Sequence, residues 1–452
     1  MRYLWSGMRA CLDRAFDISG RGSSIPQEVV AGITTFGAMA YIMAVNPNIL
    51  ASAGLDQHAM VITTIASAVV GSFIMAVGAN LPIALAPVMS SNVVFAQIVV
   101  VRMGVPPAQA FTMVLLGGVA FLFLSLTPWR RRIVETFPLS VKQGIHFAIG
   151  AFVAHIGIVN GGLVTKGGEG LVFGQLSNPV VLLALAGVFL AMMLKWARIP
   201  AAILVSVIAV TIAGLWVAHP DGSKVTQLPA HWMDWPSYPW FMLFPYDFHG
   251  LFANLFLVLP ITLYFFLGDF FDATGTMMAV MQRSGLKDRQ GQPLLAKSAF
   301  VADATASVIG SALGTSTVSA YLESLVGVEE GGRTGLTALV VACLFAVSSI
   351  LWPLIICVPA VATAPALILV GLGMLGSLPD LKALAVQERV IPLFMLLVTV
   401  LTGDFMVSLA FGLLLHTAFV LTTRKWAELT LMLCGLDCVF ILYLVLSSRL
   451  GS

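Results

Sequence analysis

Gly310-SALGTSTVSAYLE-Ser324 and its earlier echo, Asn80-LPIALAPVMSS-Asn92, decide how this chain must fold. Both stretches are apolar, yet Pro, Gly and hydroxyl residues interrupt them, and such residues break a helix. A broken helix exposes backbone N–H and C=O groups at membrane depth. That exposure is tolerable only beside a cavity or inside protein. Extended residues 81–86 and 310–314 are therefore expected to precede short helices beginning near Met89 and Thr317. The N-terminal dipoles of those helices would face the bilayer centre.

The surroundings demand a membrane. Of 452 residues, 59% are hydrophobic and 10% charged, with a mean hydropathy of +0.98, whereas soluble domains carry about 25% charged residues. Runs long enough to cross a bilayer need about 20 residues. They fall near 28–47, 58–79, 82–101, 109–127, 139–160, 178–195 and 199–218. After a loop rich in Trp, Pro and Tyr (His231–Tyr246), which suits the membrane interface, more follow near 249–281, 298–313, 317–330, 335–357, 360–377, 389–403 and 405–422. The interrupted run is third in each set of seven, and Pro138-LSVKQGIHFAIG and Pro359-AVATAPALILVG also correspond. An odd number of spans inverts the second copy. The expected fold is thus an all-α polytopic membrane protein with a seven-plus-seven inverted repeat. Its parts are an N-terminal segment 1–27, repeats at 28–218 and 249–422 joined by an extracytoplasmic loop 219–248, and a hydrophobic end 423–452. The stretch 428–447 fits either a fifteenth crossing or an interfacial helix.

Charge orients the chain. With a cytoplasmic N-terminus (Arg2, Arg9, Arg14, Arg21), one face carries Arg130–Arg132, Lys195, Arg198, Arg283, Lys287, Arg289, Lys297, Arg333, Lys382, Arg389, Arg424 and Lys425. The other face has Arg102, Lys166 and Lys224. The N-terminus lacks the pattern of a cleavable signal peptide. The five cysteines form no C-x-x-C pair and read as buried small hydrophobes. No P-loop, catalytic triad, zinc motif or nucleic-acid patch can be assembled. These readings exclude an enzyme and imply no cofactor, metal or nucleic acid.

Carboxylates mark the site. A charge at mid-span costs about 2.5–3.5 kcal/mol on insertion scales, so those present need a reason. Asp269 and Asp272 lie within Phe265-FLGDFFDATGTM-Met278 on one helical face, with Thr276 one turn beyond Asp272. Glu323 closes the second interrupted run, with Ser319 and Ser316 before it. Nothing basic lies in either segment, and burial without a cation leaves a carboxyl proton exchangeable. Asp272 and Glu323 are the leading candidates for solute binding and proton coupling. Asp269 joins them in coupling, although a supporting role would suffice for it. Asn92 is a further ligand candidate, with backbone near Ser90–Asn92, including Ser91, and Thr317–Ser319 supplying N–H donors. Asp303 reads as a structural cap, Glu329 and Glu330 as surface partners of Arg333, and Asp404 as a turn residue. Phe270, Phe271, His146, His155 and His416 read as packing residues.

Gly32-ITTFGAMAYIMAVNPNIL-Ala51, Ala84-LAP-Val88, Phe271-DATGT-Met277 and Gly314-TSTVSAYLESLVGVEEGGRTGLTA-Leu339 together resemble the AzgA-like purine permeases, a branch of the nucleobase–cation symporters. The similarity runs over nearly the whole chain. It implies the uracil permease-like fold, in which a core domain carries the two broken spans and a gate domain holds the last three spans of each repeat. It also implies proton-coupled import of adenine, guanine or hypoxanthine across the cell membrane, and leaves a homodimer open. The family's eighth-span acid, its Tyr-x-Glu-Ser acid and its third-span asparagine correspond to Asp272, Glu323 and Asn92. Ala86-PVMSSNVV-Phe95 departs from the family pattern: Ser90 replaces a glycine, and Val93 and Val94 replace Ala and Phe. A non-purine heterocycle or a small anion is the alternative solute on the same fold, and a receptor or channel without coupled transport is the rival from another class.

Overall fold

The computed structural model describes residues 10–450 except 128–137, 168–169, 221, 254, 288–293, 295–296, 376–380, 383, 404 and 426–428. Arg2, Arg9, Arg130–Arg132, Arg289 and Asp404, singled out in the sequence, lie outside the described residues. The first half comprises α1 (Ile25–Met39), α2 (Ile42–Ala51), α3 (Gln57–Ile74), β1 (Leu85–Pro87), α4 (Met89–Val93), α5 (Pro107–Leu126), α6 (Leu139–Asn160), α7 (Pro179–Trp196) and α8 (Ala202–Ala213). A short hairpin, β2 (Val164–Gly167) with β3 (Gly170–Phe173), follows α6. The second comprises α9 (Phe248–Ala253), α10 (Leu255–Ser284), α11 (Lys297–Ala312), β4 (Val318–Ala320), α12 (Ser324–Glu329), α13 (Gly335–Ser348), α14 (Trp352–Ile356), α15 (Ala360–Met374), α16 (Val390–Thr402) and α17 (Phe405–Thr422), with α18 (Leu431–Leu450) after it. Local chemistry explains several starts: Ser24 accepts from Gln27 N at 3.5 Å, Asp56 from Ala59 N at 2.7 Å and Asn178 from Val180 N at 2.9 Å. Among the described residues, seven helical stretches are long and apolar enough to cross a membrane, and five shorter apolar helices accompany them. The chain is a multi-pass membrane protein.

At the centre, the two interrupted runs meet as antiparallel strands. Leu85 opposes Ala320, Ala86 opposes Ser319 and Pro87 opposes Val318. Val88 N donates to Thr317 O at 2.9 Å and Tyr321 N to Ala84 O at 3.0 Å, extending the ladder at both ends. Hydroxyls from neighbouring helices bracket it in the same way in each repeat. Ser72 donates to Leu85 O at 2.9 Å and accepts from Leu85 N at 3.0 Å. Ser307 donates to Val318 O at 2.8 Å and accepts from Val318 N at 3.2 Å. Gly71 allows this approach: a Cβ there would stand 2.9 Å from a Val318 methyl and 3.2 Å from Leu85 Cβ.

The first break follows the expectation, with a helix starting at Met89. The second does not. Residues 310–312 still belong to α11, the extended segment is 318–320, and the following helix starts at Ser324 rather than near Thr317. Thr317 and Ser319 thus lie before and within a strand. Their carbonyls and amides are drawn into pairing with the first repeat, which a reading of one run by itself does not anticipate.

Around the ladder, α1–α5 pack with α10–α13 as a core, while α6–α8 pack with α15–α17 as a gate. Helix α18 lies against α10 and α17. The loop before α9 is tied to the core: Tyr238 donates to Leu313 O and Phe244 N to Ala312 O, both at 2.8 Å, and Asp234 N to Ile350 O at 3.1 Å. All five cysteines are free, but Cys11, Cys343 and Cys438 are exposed, and Cys357 and Cys434 half-buried, rather than in the interior as expected. Glu329 pairs with Arg283 at 2.9 Å, in place of the Arg333 suggested by sequence proximity.

Arg333 serves the join between the repeats. Fully buried Glu28 on α1 accepts from Arg333 N at 2.9 Å, Thr334 N at 3.3 Å and the Thr337 hydroxyl at 2.6 Å. Glu28→Ala orphans these donors, at about 1–3 kcal/mol for a buried group. Thermal melting of the detergent-purified variant is expected to show a clear fall in Tm, while an exposed substitution such as Gln27→Ala leaves it near wild type.

Candidate solute site

A cavity of about 430 Å³ lies between core and gate, within the roughly 300–1,000 Å³ usual for small-molecule sites. Its core wall includes Tyr41, Ser90, Asp272, Thr276 and Glu323; Lys195, residues 199–203 and Leu369–Val370 form the gate wall. Asp272 and Thr276 face it together because they are one turn apart on α10. Glu323 occupies the N-cap position of α12. Tyr41 stands at the break between α1 and α2, and its hydroxyl donates to Glu323 Oε1 at 2.6 Å. The carboxylate of Asp272 has no hydrogen-bond partner among the described residues, and it lines the same cavity as Glu323. An acid left without a protein partner at a cavity wall is available to a ligand.

The ladder explains why Ser90 belongs here. With Ala86 opposite Ser319, residues four beyond each occupy equivalent places, and these are Ser90 and Glu323. The two repeats therefore offer a hydroxyl and a carboxyl to the same cavity.

Other predicted site residues lie behind this wall. Asp269 is buried, accepts from Ser307 at 2.6 Å, and its second oxygen has no partner among the described residues. Asp303 accepts from Ser319 at 2.9 Å and from Ala320 N at 2.8 Å, fixing the second strand. Asn92 is fully buried; it accepts from Ser316 and donates to Asn46, which donates to Thr64 at 2.8 Å. Its amide thus links the two repeats. Ser91 and Thr317 are also buried, and the Thr317 hydroxyl has no partner among the described residues. Asp272 and Glu323 are brought together at the cavity, whereas Ser91, Asn92, Thr317, Ser319 and Asp269 are not among its lining residues. Phe270 packs edge-on against Phe121 and Phe271, as expected of packing residues. Tyr41 and Lys195 are site residues that local sequence does not reveal: Tyr41 sits in an apolar stretch with no charged neighbour, and a lysine at a span end satisfies the charge asymmetry of the membrane by itself.

Buried acids beside a broken-helix crossing, at a seam between two packed bodies, define a membrane carrier. Residues 26–438 match the family described as "Permease family", and the chain belongs to it. It is 36% identical over 423 residues to the guanine/hypoxanthine permease PbuO of Bacillus subtilis, covering 92% of this chain and 96% of that one. It is 35% identical over 435 residues to the adenine permease AdeP of Escherichia coli, covering 96% of each. Among solved structures, the transmembrane domain of a cyanobacterial bicarbonate transporter, BicA, superposes with a TM-score of 0.61 at 19% identity, covering 84% of this chain and 96% of that one. That likeness concerns the fold. The seven-plus-seven inverted repeat with core and gate is the architecture of this transporter.

Tyr41→Phe removes the hydroxyl that orients Glu323 and keeps the ring. Hydrogen bonds to charged groups contribute about 1.5–3 kcal/mol, so uptake kcat/KM is expected to fall by about tenfold or more. Initial rates in cells lacking their own permeases measure it.

Proposed function

We propose that this transporter imports purine nucleobases of the adenine, guanine or hypoxanthine class together with protons. The convergence of unpartnered Asp272 and Tyr41-bound Glu323 on one core–gate cavity carries the reading. Permeases for guanine/hypoxanthine and for adenine among the relatives support the solute class. A purine presents ring N–H groups and acceptors along one plane. Carboxylates at Asp272 and Glu323 accept from its N–H edge, while the Ser90 and Thr276 hydroxyls face its acceptors. Like charges in one apolar cavity repel, and a shared proton relieves the repulsion. Such a proton, taken up with solute on one side and released on the other, couples the two fluxes.

The N-terminus is assigned to the cytoplasm by the distribution of basic residues. Residues 199–203, between α7 and α8, line the cavity at the end that this assignment puts on the inner side, and on that reading the arrangement corresponds to an inward-facing state. The core, with the ladder and both acids, then moves against the gate to expose the site outside. The repeats are assigned to 28–218 and 249–422.

Glu323→Gln keeps the shape and removes the exchangeable proton. Accumulation of labelled base should be abolished, and gradient-driven uptake at the wild-type level in this variant would sink the assignment. Competition by a panel of heterocycles and small anions against one labelled purine tests the solute. Displacement by purines alone is the expected result, and displacement by a non-purine ring or an anion would reassign it.

A further inference from the structure

Lys195 stands at the last turn of α7, on the gate side of the cavity. Among the described residues lining that cavity it is the one cationic side chain, and Asp272 and Glu323 are its acids. The positive-inside tendency accounts for a lysine at this end of a span, but not for one that lines the candidate cavity. Its position is held firmly. Arg198 N donates to Lys195 O and Ile199 N to Leu194 O, both at 3.0 Å, closing the helix end. Arg198 and Ala201 both adopt left-handed backbone, with φ of 56° and 59°, fixing a tight turn into α8. The ammonium lies beside α15, 4.0 Å from where a Cβ on Gly373 would stand.

Among the described residues, four ionisable groups lie about Glu323. Tyr41 holds it by hydrogen bond, while Tyr321 and Asp272 share its surroundings; all three are borne by the core. Lys195 lines the same cavity and is borne by the gate. Movement of the core against the gate therefore leaves three of these relations nearly fixed and changes the fourth. Coulomb attraction falls with separation and with intervening water. A cation near Glu323 in the inward-facing state favours loss of its proton there, and its absence in the outward-facing state favours recapture.

We propose that Lys195 is a gate-borne counter-charge to Glu323 that promotes proton release on the inner side, and so governs net uptake more than solute exchange. The inference rests on the proton-coupled reading above. In the step it describes, the proton passes from the Glu323 carboxyl to inner water, and the Lys195 ammonium compensates the carboxylate left behind. Lys195 acts through Glu323 and is a positioning residue. Net uptake requires this release in each cycle, whereas exchange of internal for external solute can proceed with the proton retained.

The test uses the full-length protein in proteoliposomes, with labelled adenine, guanine and hypoxanthine as probes. Net uptake driven by an imposed proton gradient is compared with exchange at equal pH on both sides. In Lys195→Gln and Lys195→Met, net uptake should fall about tenfold, as expected for loss of one nearby opposite charge, while exchange falls much less. Raising the internal pH should restore net uptake, and Lys195→Arg should retain both activities. Retained exchange reports a folded carrier. Equal loss of both activities in the two neutral variants, or loss of neither, overturns the inference. Absence of gradient-driven uptake in the wild type overturns the proton-coupled reading, and this inference with it.

Discussion

The pairing of Leu85–Pro87 with Val318–Ala320 is the constraint on which the rest of the molecule depends. Two strands of three residues cannot be stable alone, and in lipid their unpaired edges would be intolerable. They persist because Ser72 and Ser307 satisfy the outward-facing groups of Leu85 and Val318. Each serine belongs to a helix of the same repeat as the strand it serves, so the two repeats solve the same problem in the same way. Once the crossing is fixed, α4 and α12 must start near the middle of the protein, with Ser90 and Glu323 at matching places.

Polar groups behind the cavity follow from the same constraint. Asp303 accepts from the amide of Ala320 and the hydroxyl of Ser319, and Asp269 accepts from Ser307. Asn92, Asn46, Thr64 and Ser316 form a continuous chain joining the first repeat to the second. Buried polar networks are costly when incomplete and specify one arrangement when complete. The interior acids thus divide into two kinds: Asp303, bound by several donors, holds the crossing together, while Asp272, without a donor among the described residues, lines the cavity. Asp269 lies between them, with one oxygen bonded and one free.

Seams between two rigid bodies are where a carrier can place groups whose relation changes with state. The core supplies Tyr41, Ser90, Asp272 and Glu323, and the gate supplies Lys195 and the apolar wall around Leu369. Groups on one body keep their distances as the bodies move, so selectivity can stay constant through a cycle. A charge on the other body gives the cycle a term that differs between its ends.

Much of this was legible from residue order. The apolar runs, the two interruptions, the inverted repeat and the importance of Asp272 and Glu323 follow from hydropathy and from the cost of charge in lipid, which act locally. The exact form of the second interruption did not follow. A helix near Thr317 was as compatible with local composition as a strand, and the strand wins because the backbone of residues 84–88 is there to pair with it. For the same reason sequence could not separate Ser90 from Asn92, two residues apart and both polar, yet one lines the cavity and the other links the repeats. Tyr41 and Lys195 became site residues only through tertiary structure, since they lie far along the chain from Glu323. Sequence determined which residues are costly in a membrane and so need a purpose. Packing of core against gate decided which of them face open space, which face one another, and which opposite charge comes within reach.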